Sequence, residues 1–319
     1  MSEPLSIKNI LIAGAGALGM VLGGFLREKG FKVTLLGRPS NIDIIKREGL
    51  TIEGIWGDHK ITGFKCATNP GELQQGYDLA MVAVKSYATE PIVREILPFL
   101  KNNCPVVSFQ NGLGNMEKIA ELVGSRRTGG ARVIFGAEVV VPGRVKVTVY
   151  ADSVKVGALK PGHYPYLEKK LANLALSINS SGIPCEFIDN IHPYLWAKLI
   201  YNCALNPLGA ILKVTYGMLA EREETRNIMN SIIQESFEVA KAKGVSLFWD
   251  SAEEYEEYFY TNLIPATYNH RSSMLQDIER RRKTEIEAMN DIVCKYGKMC
   301  GVKTPVNKTV ANLIRYISV

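Results

Sequence analysis

Six cysteines in 319 residues are few, and Cys66, Cys104, Cys185, Cys203, Cys294 and Cys300 never fall as Cys-x-x-Cys. That argues against a disulfide frame or a zinc site, and describes reduced, mostly buried thiols. The four histidines lie far apart and supply no ligand spacing, so no metal is expected. No apolar run approaches the roughly 18 residues of a membrane span. Met1–Lys8 lacks the charged, apolar and small-residue succession of a secretory signal, so the expected location is the cytoplasm. Repeats, low-complexity runs and a disordered linker are also missing. The charge excess, +6, favours anionic small molecules but is too diffuse for nucleic acid.

What is present is a chain long enough for two domains of about 100–200 residues each. Asn9-Ile10-Leu11-Ile12-Ala13 is a short apolar run of the kind a strand buried on both faces shows. It leads into Gly14-Ala15-Gly16-Ala17-Leu18-Gly19, a helical stretch Met20–Lys29, and a second strand, Lys32–Leu36. A lone Gly-x-Gly-x-x-Gly says little; between strand and helix it is a dinucleotide-binding fingerprint. Gly14 permits the tight turn, Gly16 lets backbone approach a pyrophosphate, and Gly19 lets helix and strand pack closely. The helix start offers N–H groups to the anion.

The end of the second strand reads Gly37-Arg38-Pro39-Ser40, without the acid that binds the ribose hydroxyls of NAD. Arg38 suits the 2′-phosphate of NADP, or is simply an exposed arginine. A helix is expected over Ile42–Glu48. Leu50–Trp56 and His59–Phe64 read as a hairpin around Gly57-Asp58. Two further buried strands, Leu79–Val84 and Val106–Phe109, end in Lys85 and in Gln110-Asn111-Gly112. Ligands of open α/β sheets gather at such strand ends, although Lys85 and Asn111 could each be ordinary loop groups. Residues 131–141 and 144–159 are β-rich, 163–180 form an amphipathic helix, and Cys185–Ile188 is a last strand. From His192 onward the pattern is helical, with breaks expected near Pro207, Gly217, Gly244, Pro265 and Gly301. The expected architecture is an α/β domain with a mostly parallel sheet, residues 1–189, followed by an all-α domain, residues 190–319.

Within the second half, Trp196–Leu208 is mostly apolar, but Lys198, Asn202 and Asn206 interrupt it at spacings of four. Residues four apart share a helix face, so these form one polar stripe. Either the lysine snorkels to water beside structural asparagines, or its ammonium meets a ligand. Pro207 should make the next turn irregular and free nearby carbonyls. A single helix is expected over Ser272–Tyr296, with Ser273, Asp277, Arg281 and Glu285 along one side and Ser273 with Gln276 as a capping box. Arg280-Arg281-Arg282-Lys283 reads as a solvated face, with contact to a cofactor phosphate as the alternative.

Taken in order, the glycine loop, Lys85, Gln110-Asn111-Gly112, the Lys198/Asn202/Asn206-Pro207-Leu208 run and Ser272–Asp277 through Thr284-Glu285-Ile286 resemble the ketopantoate reductase family. The resemblance spans nearly the whole chain. It implies a Rossmann-type domain followed by a helical one, and NADPH-dependent reduction of a small 2-oxo acid in pantothenate synthesis. It further implies Lys198 as general acid, Asn111, Asn202, Asn206 and Ser273 with Lys198 on the substrate, and Glu285 near the reacting centre. Arg38, Lys85, Asn111, Ala137 and Glu285, with Ala15, Ala17 and Leu18 of the glycine loop, would line the NADPH/NADP+ site. The family has asparagine where this chain has Tyr216 and His270, and often Asn-Gly where it has Asn290-Asp291. Those departures leave open another branched 2-oxo acid, or an NADPH-binding sensor with an idle cleft. A homodimer is compatible with the sequence but not specified by it.

Overall fold

The apolar runs become the centre of one sheet. The computed structural model describes residues 7–318. In chain order the first part comprises β1 (Asn9–Ala13), α1 (Ala17–Glu28), β2 (Lys32–Leu36), α2 (Pro39–Glu48), β3 (Leu50–Gly54), β4 (His59–Ile61) and β5 (Lys65–Ala67). It continues with β6 (Leu79–Val82), α3 (Thr89–Ile96), β7 (Val106–Ser108), α4 (Asn115–Val123), β8 (Thr128–Val141), β9 (Arg144–Ala158), α5 (Pro165–Ser180) and β10 (Cys185–Phe187). The strand order is β4-β3-β9-β8-β7-β6-β1-β2-β5, with β10 beside β9. All neighbours from β8 to β5 run parallel, while β8/β9 and β3/β4 are antiparallel.

Ile10, Leu11, Ile12 and Ala13 are fully buried because helices cover both faces of the sheet, as a parallel strand requires. On one face they join Met20, Leu22 and Leu26 of α1; on the other, Val93, Ile96 and Ile119 of α3 and α4. The β8/β9 pair turns at Pro142-Gly143, where Gly143 takes φ +73°. Helix α2 starts earlier than expected, at Pro39, because proline is pre-set for the first helical position. Strand β5 carries no alternation over its three residues and was not expected.

The second part is helical: α6 (His192–Leu212), α7 (Tyr216–Ala220), α8 (Glu223–Ala242), α9 (Ala252–Tyr258), the single turn α10 (Ile264–Ala266), α11 (Ser273–Glu279), α12 (Asn290–Cys300) and α13 (Pro305–Ile317). Helix α6 is its axis; Leu199, Ile200, Cys203 and Ala204 meet Ile232 and Ile233 of α8 and Ile314 of α13 in one core. The chain forms two compact units. One takes in the chain up to Gln110 together with Asn115–Ile191; the other takes in Asn111–Gly114 together with the chain from His192 onward.

Two expectations fail for instructive reasons. Helix α6 continues unbroken past Pro207. Proline removes the N–H that would have served the carbonyl four residues earlier, that of Cys203. Asn290 Nδ2 donates to that oxygen at 3.1 Å and to Asn307 Oδ1 at 3.0 Å. Asn307 is itself anchored by buried Glu235, whose carboxylate accepts from the N–H groups of Val306 (2.8 Å) and Asn307 (2.9 Å) at the start of α13. Nor is Ser272–Tyr296 one helix. It ends at Glu279, Arg281 turns into the left-handed region (φ +51°), and a short 3₁₀ turn over Ile286–Ala288 precedes α12. The stripe of four residues is therefore not a helix face: Arg281 and Glu285 lie beyond its end.

Candidate active site

In the first unit the three fingerprint glycines have three separate reasons. Gly14 has φ +122°, and a Cβ there would lie 2.6 Å from the Ala83 carbonyl carbon. A Cβ on Gly19 would collide with the Gly14 carbonyl oxygen, so α1 could not start where it does. At Gly16 a Cβ would meet nothing within 4 Å: the loop faces open space on that side. Gly16 is also the N-cap of α1 and has no side chain to satisfy the first-turn N–H groups, which suits an anion. Ala17 and Leu18 pack into the sheet core from the same turn.

The loop is fastened to the end of β2. Gly14 and Ala15 N–H donate to the Leu36 carbonyl at 2.9 and 3.0 Å, and a Cβ on Gly37 would come within 2.5 Å of Ala15 Cβ. Asn41 Nδ2 donates to Ala15 O at 2.9 Å, a contact that nothing local in the sequence announces. Arg38 is the N-cap of α2 at this strand end; its carbonyl accepts from Asn41 and Ile42 N–H at 3.1 Å, and its exposed side chain has no hydrogen-bond or ion-pair partner among the described residues. Lys85, half-buried, follows β6 and opens a 3₁₀ turn, Ser86–Ala88. Gln110 holds this region: its Nε2 donates to Val84 O at 2.9 Å and to Thr89 Oγ1 at 2.7 Å. Ala137 lies in β8 opposite Val147 of β9, beside a bulge, and packs on the sheet core.

The second unit assembles the other half of the sequence-derived set. Lys198 Nζ donates to Asn111 Oδ1 at 2.7 Å, so two residues 87 apart in sequence meet. Asn111 is held there because Leu113 N–H donates to Ala288 O at 2.9 Å and a Cβ on Gly112 would strike Ala288. One face of α6 carries the stripe: Asn206 Nδ2 donates to Asn202 Oδ1 at 3.1 Å. Ser272 caps α11, accepting from the N–H groups of Met274 and Leu275, so the capping residue is Ser272 rather than Ser273. Its hydroxyl donates to the Asn206 carbonyl at 2.7 Å. Ser273, exposed, places Oγ 3.4 Å from Asn206 Oδ1.

Tyr216, buried beside them, donates its hydroxyl to Asn206 Oδ1 at 2.9 Å. Burial, with Tyr201 nearby, holds this phenol well above its ordinary range, so it stays protonated. The His270 ring lies 5.0 Å from the Tyr216 ring, and burial lowers its pKa, favouring the neutral imidazole. Glu285 is buried at the start of the Ile286–Ala288 turn. Among the described residues no group of three or more acidic, histidine or cysteine side chains could hold a metal ion, and no helix is long and apolar enough to cross a membrane.

A glycine loop between β1 and α1, with an ammonium-and-amide stripe on a helical second unit, is the build of a dinucleotide-fold oxidoreductase. Comparison with known proteins makes the class specific. Residues 10–161 match the family "Ketopantoate reductase PanE/ApbA" and residues 190–318 match "Ketopantoate reductase PanE/ApbA C terminal". A 2-dehydropantoate 2-reductase of Aquifex aeolicus is 38% identical over 97% of this chain and 96% of its own length. A PanE/ApbA family ketopantoate reductase from Ralstonia eutropha superposes with TM-score 0.86 at 31% identity, covering 97% of this chain and 98% of that one. D-mandelate dehydrogenase, solved with NADH and anilino(oxo)acetate, gives the same TM-score at 26% identity, covering 97% and 98%. The chain belongs to the ketopantoate reductase family.

Proposed function

We propose that the protein reduces 2-dehydropantoate (ketopantoate) to pantoate with NADPH, serving pantothenate and coenzyme A synthesis. In this reading residues 1–189 form the NADP-binding domain and residues 190–319 the substrate domain. The pairing of Lys198 with Asn111 at 2.7 Å carries the proposal. An ammonium on an apolar helix is costly to keep dry unless polar groups hold it, and the Asn111 amide oxygen orients it. In this reading its N–H donors also serve a ligand oxygen.

The residues fit the cofactor. Open space over Gly16 and the uncapped start of α1 suit a pyrophosphate, and exposed Arg38 suits a 2′-phosphate. Lys85 and Ala137 are the further cofactor groups proposed in the first unit, and Asn111 and Glu285 those proposed in the second. NADPH, when bound, supplies the hydride to the ketone carbon. As charge grows on the ketone oxygen, Lys198 stabilises it and delivers the proton. Asn202 and Ser273 hold the 2-oxo acid by hydrogen bonds that add no charge, and Glu285 stands near the reacting centre.

The test follows NADPH absorbance with ketopantoate and a panel of branched and aromatic 2-oxo acids. Turnover of ketopantoate is expected. Oxidation of NADPH by another acid but not by ketopantoate would leave a reductase of different substrate, a reading favoured by the bulk of Tyr216 and His270. No oxidation with any acid would mean a sensor.

A further inference from the structure

The buried hydroxyl of Tyr216 gives the Asn202–Asn206 pair a fixed polarity. Ser272 Oγ accepts from two backbone N–H groups, so its one hydrogen goes to Asn206, and the carbonyl at 2.7 Å is nearer than Oδ1 at 3.1 Å. Tyr216, at 2.9 Å, is then the principal donor to Asn206 Oδ1. Were the Asn206 amide reversed, its NH₂ would face a serine oxygen whose lone pairs are already taken, which fixes the assignment. With Oδ1 committed inward, Nδ2 donates to Asn202 Oδ1 at 3.1 Å. Asn202 is left with its own NH₂ as the uncommitted group: Nδ2 has no partner among the described residues and is not among the fully enclosed polar atoms.

The tyrosine is built into this place. Its N–H donates to His270 O at 3.1 Å, and the next N–H, of Gly217, donates to Tyr268 O at 2.9 Å. Gly209 lies against the same group: a Cβ there would meet the Tyr216 ring in ordinary contact at 3.5 Å and crowd Ser272 Cβ at 3.3 Å. We propose that Tyr216 is a positioning and specificity-determining residue that occupies the Asn206 acceptor and turns the stripe into a face of donors, Lys198 ammonium and Asn202 amide. Such a face reads the ketone and carboxylate oxygens that every 2-oxo acid has. It offers no Asn206 oxygen to a substrate hydroxyl hydrogen, so a terminal hydroxyl contributes little to recognition. This rests on the reading of Lys198 and Asn202 as substrate groups. It extends that reading to a substrate class: 2-oxo acids branched at the third carbon, with or without a hydroxyl on the fourth.

The experiment compares kcat/KM for ketopantoate and for 3,3-dimethyl-2-oxobutanoate, which lacks only the hydroxyl, in the native enzyme and in Tyr216→Phe. Binding of each acid to the NADP+-loaded protein is measured calorimetrically beside the kinetics. The native enzyme is expected to distinguish the two by less than about tenfold, against the 10⁴–10⁵ of a site built to bond the hydroxyl. Tyr216→Phe should weaken both acids by a similar factor, on the order of tenfold for one hydrogen bond, with NADPH affinity unchanged. A native preference for ketopantoate beyond about a thousandfold overturns the proposal and leaves the reductase reading standing. Unaltered binding and turnover of both acids in Tyr216→Phe also overturns it. Absence of turnover with both acids in the native enzyme would instead defeat the reductase reading.

Discussion

Removing the Lys198 ammonium tests the chemistry most directly, and the structure says how to separate it from its neighbour. Lys198 is half-buried on α6, so Lys198→Ala deletes a charge and a flexible stem without opening the helix core formed by Leu199, Ile200 and Cys203. A positioned proton donor is worth about 10²–10⁴ in rate, or roughly 2.7–5.5 kcal/mol at about 1.4 kcal/mol per tenfold. The Asn111 amide contributes through a charge-assisted hydrogen bond, about 1.5–3 kcal/mol. If Asn111 acts by aiming the ammonium, its removal costs roughly 10–150-fold in native protein and almost nothing once Lys198 is alanine. The assay is a double-mutant cycle on kcat/KM with saturating NADPH, with thermal melting and NADPH dissociation measured on all four proteins. Equal losses for Asn111→Ala in both backgrounds would refute the aiming role and make Asn111 an independent ligand contact. Normal turnover in Lys198→Ala would reduce the stripe to structure.

Substitutions at two other positions probe the remaining parts. Arg38→Ala should weaken NADPH by about 1.5–3 kcal/mol, the worth of a charge-assisted phosphate contact, and leave NADH nearly unchanged; fluorescence titration with both nucleotides decides, and equal weakening refutes the 2′-phosphate assignment. Glu235→Ala strands the N–H groups of half-buried Val306 and buried Asn307 at the start of α13, and should lower stability by about 3 kcal/mol, where Glu235→Gln, keeping one acceptor, lowers it less. Denaturant midpoints are the measure, and a loss under about 1 kcal/mol for Glu235→Ala would contradict the capping role.

The legible parts of the molecule are those whose signal is local. The turn of Gly14–Gly19 and the four-residue spacing of Lys198, Asn202 and Asn206 each follow from one element's geometry, and both elements appear where expected. Asn111, by contrast, reaches Lys198 from 87 residues away, and no periodicity reports such a distance. The stretch after Ser272 misleads for a different reason. Its apolar residues keep a helical rhythm, and no glycine or proline marks the break; instead Arg281 adopts the left-handed conformation that glycine normally supplies. The irregularity expected at Pro207 misses because the helix keeps its course when a distant side chain, Asn290, serves the freed carbonyl. The role of Tyr216 depends on a backbone pairing with Tyr268 and His270, which sequence spacing does not reveal.

Four residues, Asn111–Gly114, are threaded out of one folding unit and packed in the other. Synthesis proceeds from the N-terminus, so this tetrapeptide leaves the ribosome well before its docking partner Ala288 exists. The nascent first unit must hold the segment without its final hydrogen bonds until the last helices arrive. For the same reason the chain cannot be cut cleanly in two. A fragment beginning at His192 carries Lys198 but not the amide that receives it, whereas one ending at Ile191 keeps the amide but not the ammonium. Dividing the gene at that point, for split reporters or for shuffling halves between homologues, severs Lys198 from Asn111. Complementation of the two fragments should recover activity only as fast as the tetrapeptide finds its dock.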